Sequence, residues 1–207
     1  RWAGLPSQSP VESVLLDSIR GFEQDAEASL WRGVPVPPER KRDTLISLGW
    51  EFSPRHLEIL MSGIRFRVIR AGRRSGKSYA GAAEAAAELI CKAGCFGVIA
   101  AQTYKLARIA FSAMVKILKR AERAGLCKLI VCTSSERNLR VVLDNGAECI
   151  GHSLEWGEFA QGFGADFLIL DECALAEEWV WIRILRPTLA DRNGWAMLIG
   201  TPQRSSW

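Results

Sequence analysis

Apolar positions recur along this chain with two different periods, and the change between them divides it. From Val11 to Trp31, Val14, Leu15, Ile19, Phe22 and Leu30 fall on one side of a helix, which Gly33 and the run VPVPP then stop. Residues 1–38 are therefore expected to form a helix and a Pro-rich linker. The charged ERKRD run that follows reads as a solvated linker.

From Arg65 the pattern alternates: RFRVIRA, a helix from Ser78 to Ala93, FGVIAAQ, a helix from Tyr104 to Ala124, then KLIVCT. Strand, helix, strand, helix, strand predicts a mostly parallel α/β sheet flanked by helices. LRVVLDNGAECIGH predicts a hairpin that turns at Asp144-Asn145-Gly146. DFLILDE predicts a buried strand, EEWVWIRIL a helix ended by Pro187, and AMLIG a last strand.

On the Tyr104–Ala124 helix, Leu106, Ile109, Ala110, Ala113, Ile117, Leu118 and Ala121 make an apolar face. At about 100° per residue, Lys105, Arg108, Lys116, Lys119, Arg120 and Arg123 fall in an arc of roughly 120° on the other side. Glu122 is the only acid in this helix. The arc reads either as a solvated face or as a contact for DNA phosphates or an acidic protein surface.

Composition narrows the class. With 207 residues, 48% hydrophobic and 24% charged, the chain can bury a substantial core and is not of disordered type. No apolar run approaches the roughly 18 residues of a membrane span, and no secretory signal opens the chain, so a soluble intracellular protein with no membrane partner is expected. The six cysteines lack C-x-x-C spacing and read as buried reduced thiols, not as zinc ligands. A net charge of +4 is mild, so its distribution matters more than its sum. A chain that starts at Arg1 and stops at Trp207 just after a strand-like run is expected to be part of something longer.

The chemistry concentrates in RAGRRSGKSYA. Gly76, Lys77 and Ser78 fill three of the four anchors of the phosphate-binding pattern G-x-x-x-x-G-K-[ST], while Ala71 holds the first. Gly76 lets backbone approach phosphates, Lys77 places a charge between the β and γ groups, and Ser78 offers a hydroxyl to Mg²⁺. By itself the loop reads as a nucleotide site or as a basic strand-to-helix turn. Asp171 and Glu172, ending the apolar run FLIL about 95 residues later, decide for the nucleotide. Asp171 suits the metal side, and Glu172 suits the water-activating base. Ala71 is tolerable if its φ stays negative. No N-K-x-D guanine signature occurs, which favours ATP.

These motifs resemble the ATPase domain of the large terminase subunit, the motor that packages double-stranded DNA into tailed-virus procapsids. The resemblance runs from about Trp50 to Pro202 over FSPRHLEIL, AGRRSGKS, QGFGADFLILDE and the strand ending GTP. It implies a RecA-like P-loop NTPase of the ASCE type over residues 39–207, with an N-terminal helical appendage. Carried over by position, Gly72, Arg73, Arg74, Ser75 and Gly76 would surround the phosphates with Lys77 and Ser78. Asp171 would hold Mg²⁺, Glu172 would be catalytic, and Arg73 would sense the γ-phosphate, with Arg74 as its neighbouring alternative. The other reading of Arg73 is a surface arginine on a turn. Thr201 matches the motif coupling hydrolysis to movement, though a strand simply ending in a turn is the plain alternative. His56 stands where the family usually has Gln in the adenine-binding segment, so Phe52 is the candidate for base stacking.

The resemblance further implies ATP and Mg²⁺ as cofactors. Double-stranded DNA, a portal protein, a small terminase subunit and a homo-oligomeric ring are the implied partners, in the host cell cytoplasm. The helix over Val11 to Trp31 would contact a partner or pack on its own domain, and Arg183, Arg186 and Arg192 are candidates for an arginine supplied to a neighbouring subunit. No DNA cleavage is expected of these residues. Two rivals remain: a helicase-type ATPase, and a nucleotide-dependent switch with little turnover.

Overall fold

The computed structural model describes residues 34–135, 138–154 and 164–202. The helix expected over 11–31 lies outside them, as does the approach 161–163 to the acid pair. Among the described residues seven strands form one sheet: β1 (Phe66–Arg70), β2 (Phe96–Ala101), β3 (Leu129–Ser135), β4 (Asn138–Leu143), β5 (Glu148–Ser153), β6 (Phe167–Asp171) and β7 (Trp195–Gly200). Their order is β1-β7-β6-β2-β5-β4-β3. The pairs from β1 through β5 are parallel, and β4 runs antiparallel to both β5 and β3. KLIVCT therefore closes the sheet as an edge strand held only by the hairpin strand β4.

Burial follows the sequence pattern. The unbroken apolar runs of β6 and β7 are buried at every position because helical layers cover both faces. The edge strands β1 and β3 alternate, since one face of each is open. On one side of the sheet lie α3 (Lys77–Cys91) and α4 (Tyr104–Arg123), with α1 (Pro38–Ser47) and α2 (Pro54–Met61) outside α3. The other side is covered by the segment 173–189, through Ala176, Val180, Leu185 and Leu189 on Val98, Leu168, Leu170 and Leu198.

Alanine fills α3 so that it lies close against the sheet. At Gly81 an added Cβ would come within 2.8 Å of Ile199 Cδ1 on β7. This close seat fixes the helix that starts at Lys77.

Four expectations are corrected. The ERKRD run is not a solvated linker but the first turns of α1. Its Lys41 is buried and paired with Glu84 and Glu88 of α3 at 3.0 and 2.7 Å. On α4 the buried face is rotated from the expected one: Phe111, Met114 and Val115 are buried, while Ile109 is 59% exposed. The cysteines are free, but Cys132 points outward from edge strand β3 and is exposed. The Trp-rich segment is no regular helix. A turn at Glu178–Val180 widens into a π-helical stretch, Trp181–Leu185, and Pro187 opens a 3₁₀ turn, Arg186–Leu189, instead of ending a helix.

Candidate nucleotide site

Strand order builds the site. β1, β7 and β6 are adjacent and parallel, so their carboxyl ends open on one edge of the sheet, the side where α/β folds place ligands. β1 runs into the loop 71–76, β7 ends at Gly200 before Thr201, and β6 ends at Asp171 before Glu172. Ala71 N donates to Gly200 O at 3.2 Å, which ties the loop to the end of β7.

Gly76 has φ 80°, a left-handed conformation that a side chain disfavours. Ala71 is not among the positive-φ residues, so its Cβ causes no strain there. Gly72 also has an ordinary φ, and a Cβ on it would meet nothing within 4 Å. Arg74 is left-handed at φ 62°.

Lys77 is buried and spans the site. Its Nζ donates to Thr201 Oγ1 at 2.9 Å and to Gly72 O at 3.5 Å, and lies 3.8 Å from Glu172 Oε1. Ser78 Oγ donates to Asp171 Oδ1 at 3.0 Å. Asp171 is buried, and that burial pushes its carboxyl above the ordinary carboxylate value, against the opposing hydrogen bonds from Ser78 and the Glu172 backbone. Glu172 is 28% exposed and held at φ 50°, a strained conformation costing on the order of 1–3 kcal/mol that tends to mark functional positions. A hydroxyl and a carboxylate on one edge are hard oxygen donors of the kind Mg²⁺ takes, so the residues fit that ion.

Lys77, Ser78, Asp171, Glu172 and Thr201 are thus brought together. Arg73, Arg74 and Ser75 sit on the exposed side of the loop, and neither arginine makes an ion pair among the described residues. His56 lies against the loop: a Cβ on Gly76 would be 2.9 Å from its Cε1. Phe52 shares a crevice with His56, Trp50, Ala80 and Ala83.

Sequence reasoning missed Trp50 and Tyr79, whose rings stack at 4.7 Å beside this crevice. The signal was present in Tyr79 directly after Gly-Lys-Ser and in three rings within seven residues. Of the arginines considered for a neighbouring subunit, Arg192 is engaged by Gly94 O and Asp166 Oδ2, before β2 and β6, at the opposite end of the sheet from Asp171.

The mostly parallel sheet, the Gly-Lys-Ser turn from strand to helix and the acid pair at the end of a near strand define a RecA-like P-loop NTPase domain. Residues 68–204 match the family described as terminase large subunit, T4likevirus-type, N-terminal. The chain belongs to this family. It is 33% identical over 175 residues to the terminase large subunit of Thermus virus P23-45, covering 75% of this chain but 35% of that relative. Against the large terminase ATPase domain of Thermus phage P74-26 it superposes with a TM-score of 0.71 at 32% identity, covering 79% of this chain and 70% of that one. The bacteriophage HK97 large terminase shares the fold at TM-score 0.60 and 16% identity, over 74% of this chain and 34% of that one.

Proposed function

We propose that this domain binds ATP with Mg²⁺ and hydrolyses it, as the motor that moves double-stranded DNA into a viral procapsid. The observation that carries this reading is the meeting of Lys77, Ser78, Asp171, Glu172 and Thr201 on one sheet edge. Lys77 holds the phosphates, with Gly72, Arg73, Arg74, Ser75 and Gly76 around them, and Arg73 is free to swing toward the γ-phosphate. Ser78 and Asp171 hold the ion, which when bound neutralises charge on the phosphates. Glu172 accepts the proton of the attacking water. Thr201 reports the phosphate state through Lys77 to β7. His56 and Phe52 border the adenine.

The chain spans 35% of the length of the curated relative it matches. Residues 39–207 serve as the ATPase domain and 1–38 as an appendage. The portal protein, the small terminase subunit and a ring of like subunits are partners, in the host cell cytoplasm. No helix among the described residues is long and apolar enough to cross a membrane.

The test is Mg²⁺-dependent ATP hydrolysis at low and high protein concentration, with Glu172→Gln beside it. Turnover that rises with concentration and is lost in the variant supports an assembling ATPase. Tight binding without turnover at any concentration would favour a nucleotide switch.

A further inference from the structure

The six cations of α4 are all exposed, and none of their side chains makes an ion pair or hydrogen bond among the described residues. The helix turns Ala107, Ala110, Phe111, Met114, Leu118 and Ala121 toward the core, so the arc with Lys105, Arg108, Lys116, Lys119, Arg120 and Arg123 faces outward. The lone acid of the helix, Glu122, lies off this arc and accepts from Leu129 N at 2.8 Å. The arc accounts for the whole charge excess of the chain: a net charge of +4 less these six leaves −2 for everything else.

We infer that this face of α4 binds the phosphate backbone of duplex DNA without reading its sequence. The inference rests on the proposed motor function and assigns it a DNA-contacting surface. From Lys105 to Arg123 the helix extends about 27 Å, at about 1.5 Å per residue. A duplex of that length presents about 16 phosphate charges, at one per roughly 1.7 Å.

The composition of the arc selects the partner. Besides the six cations it holds only Ile109 and Ser112. Protein interfaces centre on aromatic anchors and are depleted of lysine, whereas nucleic-acid interfaces are strongly positive. Single strands are held by stacking on aromatic rings, and the arc has none. Base edges are read by Asn, Gln or bidentate Arg set into a groove, while long flexible cations along an open helix face suit phosphates.

The position of α4 links this face to the nucleotide. The helix begins at Thr103, which caps it by accepting from Leu106 N at 3.2 Å. Thr103 is two residues beyond Ala101, whose register partner on β6 is Asp171. A shift at the end of β6 therefore has a short path to the start of the basic face.

The test measures binding of this chain to a fluorescent duplex of random sequence between about 50 and 200 mM salt. The triple substitution Lys116→Gln, Lys119→Gln, Arg123→Gln should flatten the slope of log K against log salt by about 2.7, at roughly 0.9 for each phosphate no longer neutralised. Lys116→Arg with Lys119→Arg should keep the slope, which separates lost charge from lost folding. An unchanged slope in the triple variant overturns the inference. So does single-stranded DNA bound as tightly as duplex, or polyglutamate bound in preference to duplex and lost in the triple variant, which would make an acidic protein the partner.

ATP hydrolysis run beside it keeps the two ideas apart. Full turnover with an unchanged slope rejects the surface and leaves the ATPase. No turnover with a flattened slope rejects the ATPase and leaves the surface.

Discussion

Lys77 Nζ lies 2.9 Å from Thr201 Oγ1, joining the first residue of α3 to the first residue beyond β7 across 124 positions of sequence. The bond exists because β1 and β7 are neighbours and end together, so the loop after one strand and the turn after the other share an edge. It gives Lys77 an uncharged partner whose loss would be felt at the end of β7.

The first expectation concerns this bond. Thr201→Val should lower ATP turnover about tenfold, in line with one hydrogen bond, while changing the ATP Kd less than threefold. Thr201→Ser should keep both. Equal losses in turnover and affinity would mean that Thr201 only holds Lys77 in place.

Glu172 and Asp171 should separate by role. Glu172→Gln is expected to cut turnover by about 10²–10⁴ with Mg-ATP binding retained, the loss typical of a general base. Asp171→Asn should weaken Mg²⁺ dependence and nucleotide binding together, since it pairs with Ser78. Phosphate release and fluorescent-nucleotide titration measure the two effects, and binding lost in the Glu172 variant would contradict its assignment.

The residues that meet at the candidate site were legible in the sequence where they sit in short local runs. Gly76, Lys77 and Ser78 are consecutive, Asp171 and Glu172 end one strand, and unbroken apolar runs marked β6 and β7 as buried. Features set by distant partners were not legible. Lys41 looked solvated because its partners, Glu84 and Glu88, lie more than 40 residues away on an alanine-rich helix. Ile109 looked buried because the α4 pattern carries more apolar residues than its packed face needs, and only contact with the sheet and α3 fixes the rotation. EEWVWIRIL carries apolar spacing that reads as an ordinary helix, and nothing in that spacing marks the widening to a π-helical stretch at Trp181–Leu185.

Packing across the sheet gives the next expectation. Gly97 on β2 is the register partner of Phe167 on β6, and a Cβ on it would lie 1.9 Å from Phe167 Cζ. The ring is itself held by stacking on Trp195 at 5.3 Å. Gly97→Ala should therefore destabilise by about 1–3 kcal/mol through overpacking. Adding Phe167→Leu should recover part of that loss, a coupling of about 0.5–3 kcal/mol in a double-mutant cycle of urea unfolding. Additive losses would show that the backbone, not the ring, absorbs the clash.

The buried cluster under α1 should respond to pH in a set direction. Lys41 contacts Glu84 and Glu88, Arg67 pairs with Glu84 at 2.7 Å, and Trp195 Nε1 donates to Glu88 at 3.2 Å. Burial works against the charge on Lys41, but the two glutamates outweigh it and hold its pKa above the ordinary 10.5. A base with a raised folded pKa stabilises fully below its unfolded value and loses that contribution as pH rises through the folded one. Lys41→Met should cost about 3 kcal/mol at neutral pH, near the lower end for breaking a buried pair, because Arg67 and Trp195 still serve the glutamates. Unfolding free energies of the two proteins should then differ by a constant amount up to about pH 10.5 and converge above it. A difference that persists undiminished well beyond that pH would mean that Lys41 acts through its packed aliphatic stem, and that α1 is held on α3 by shape and not by charge.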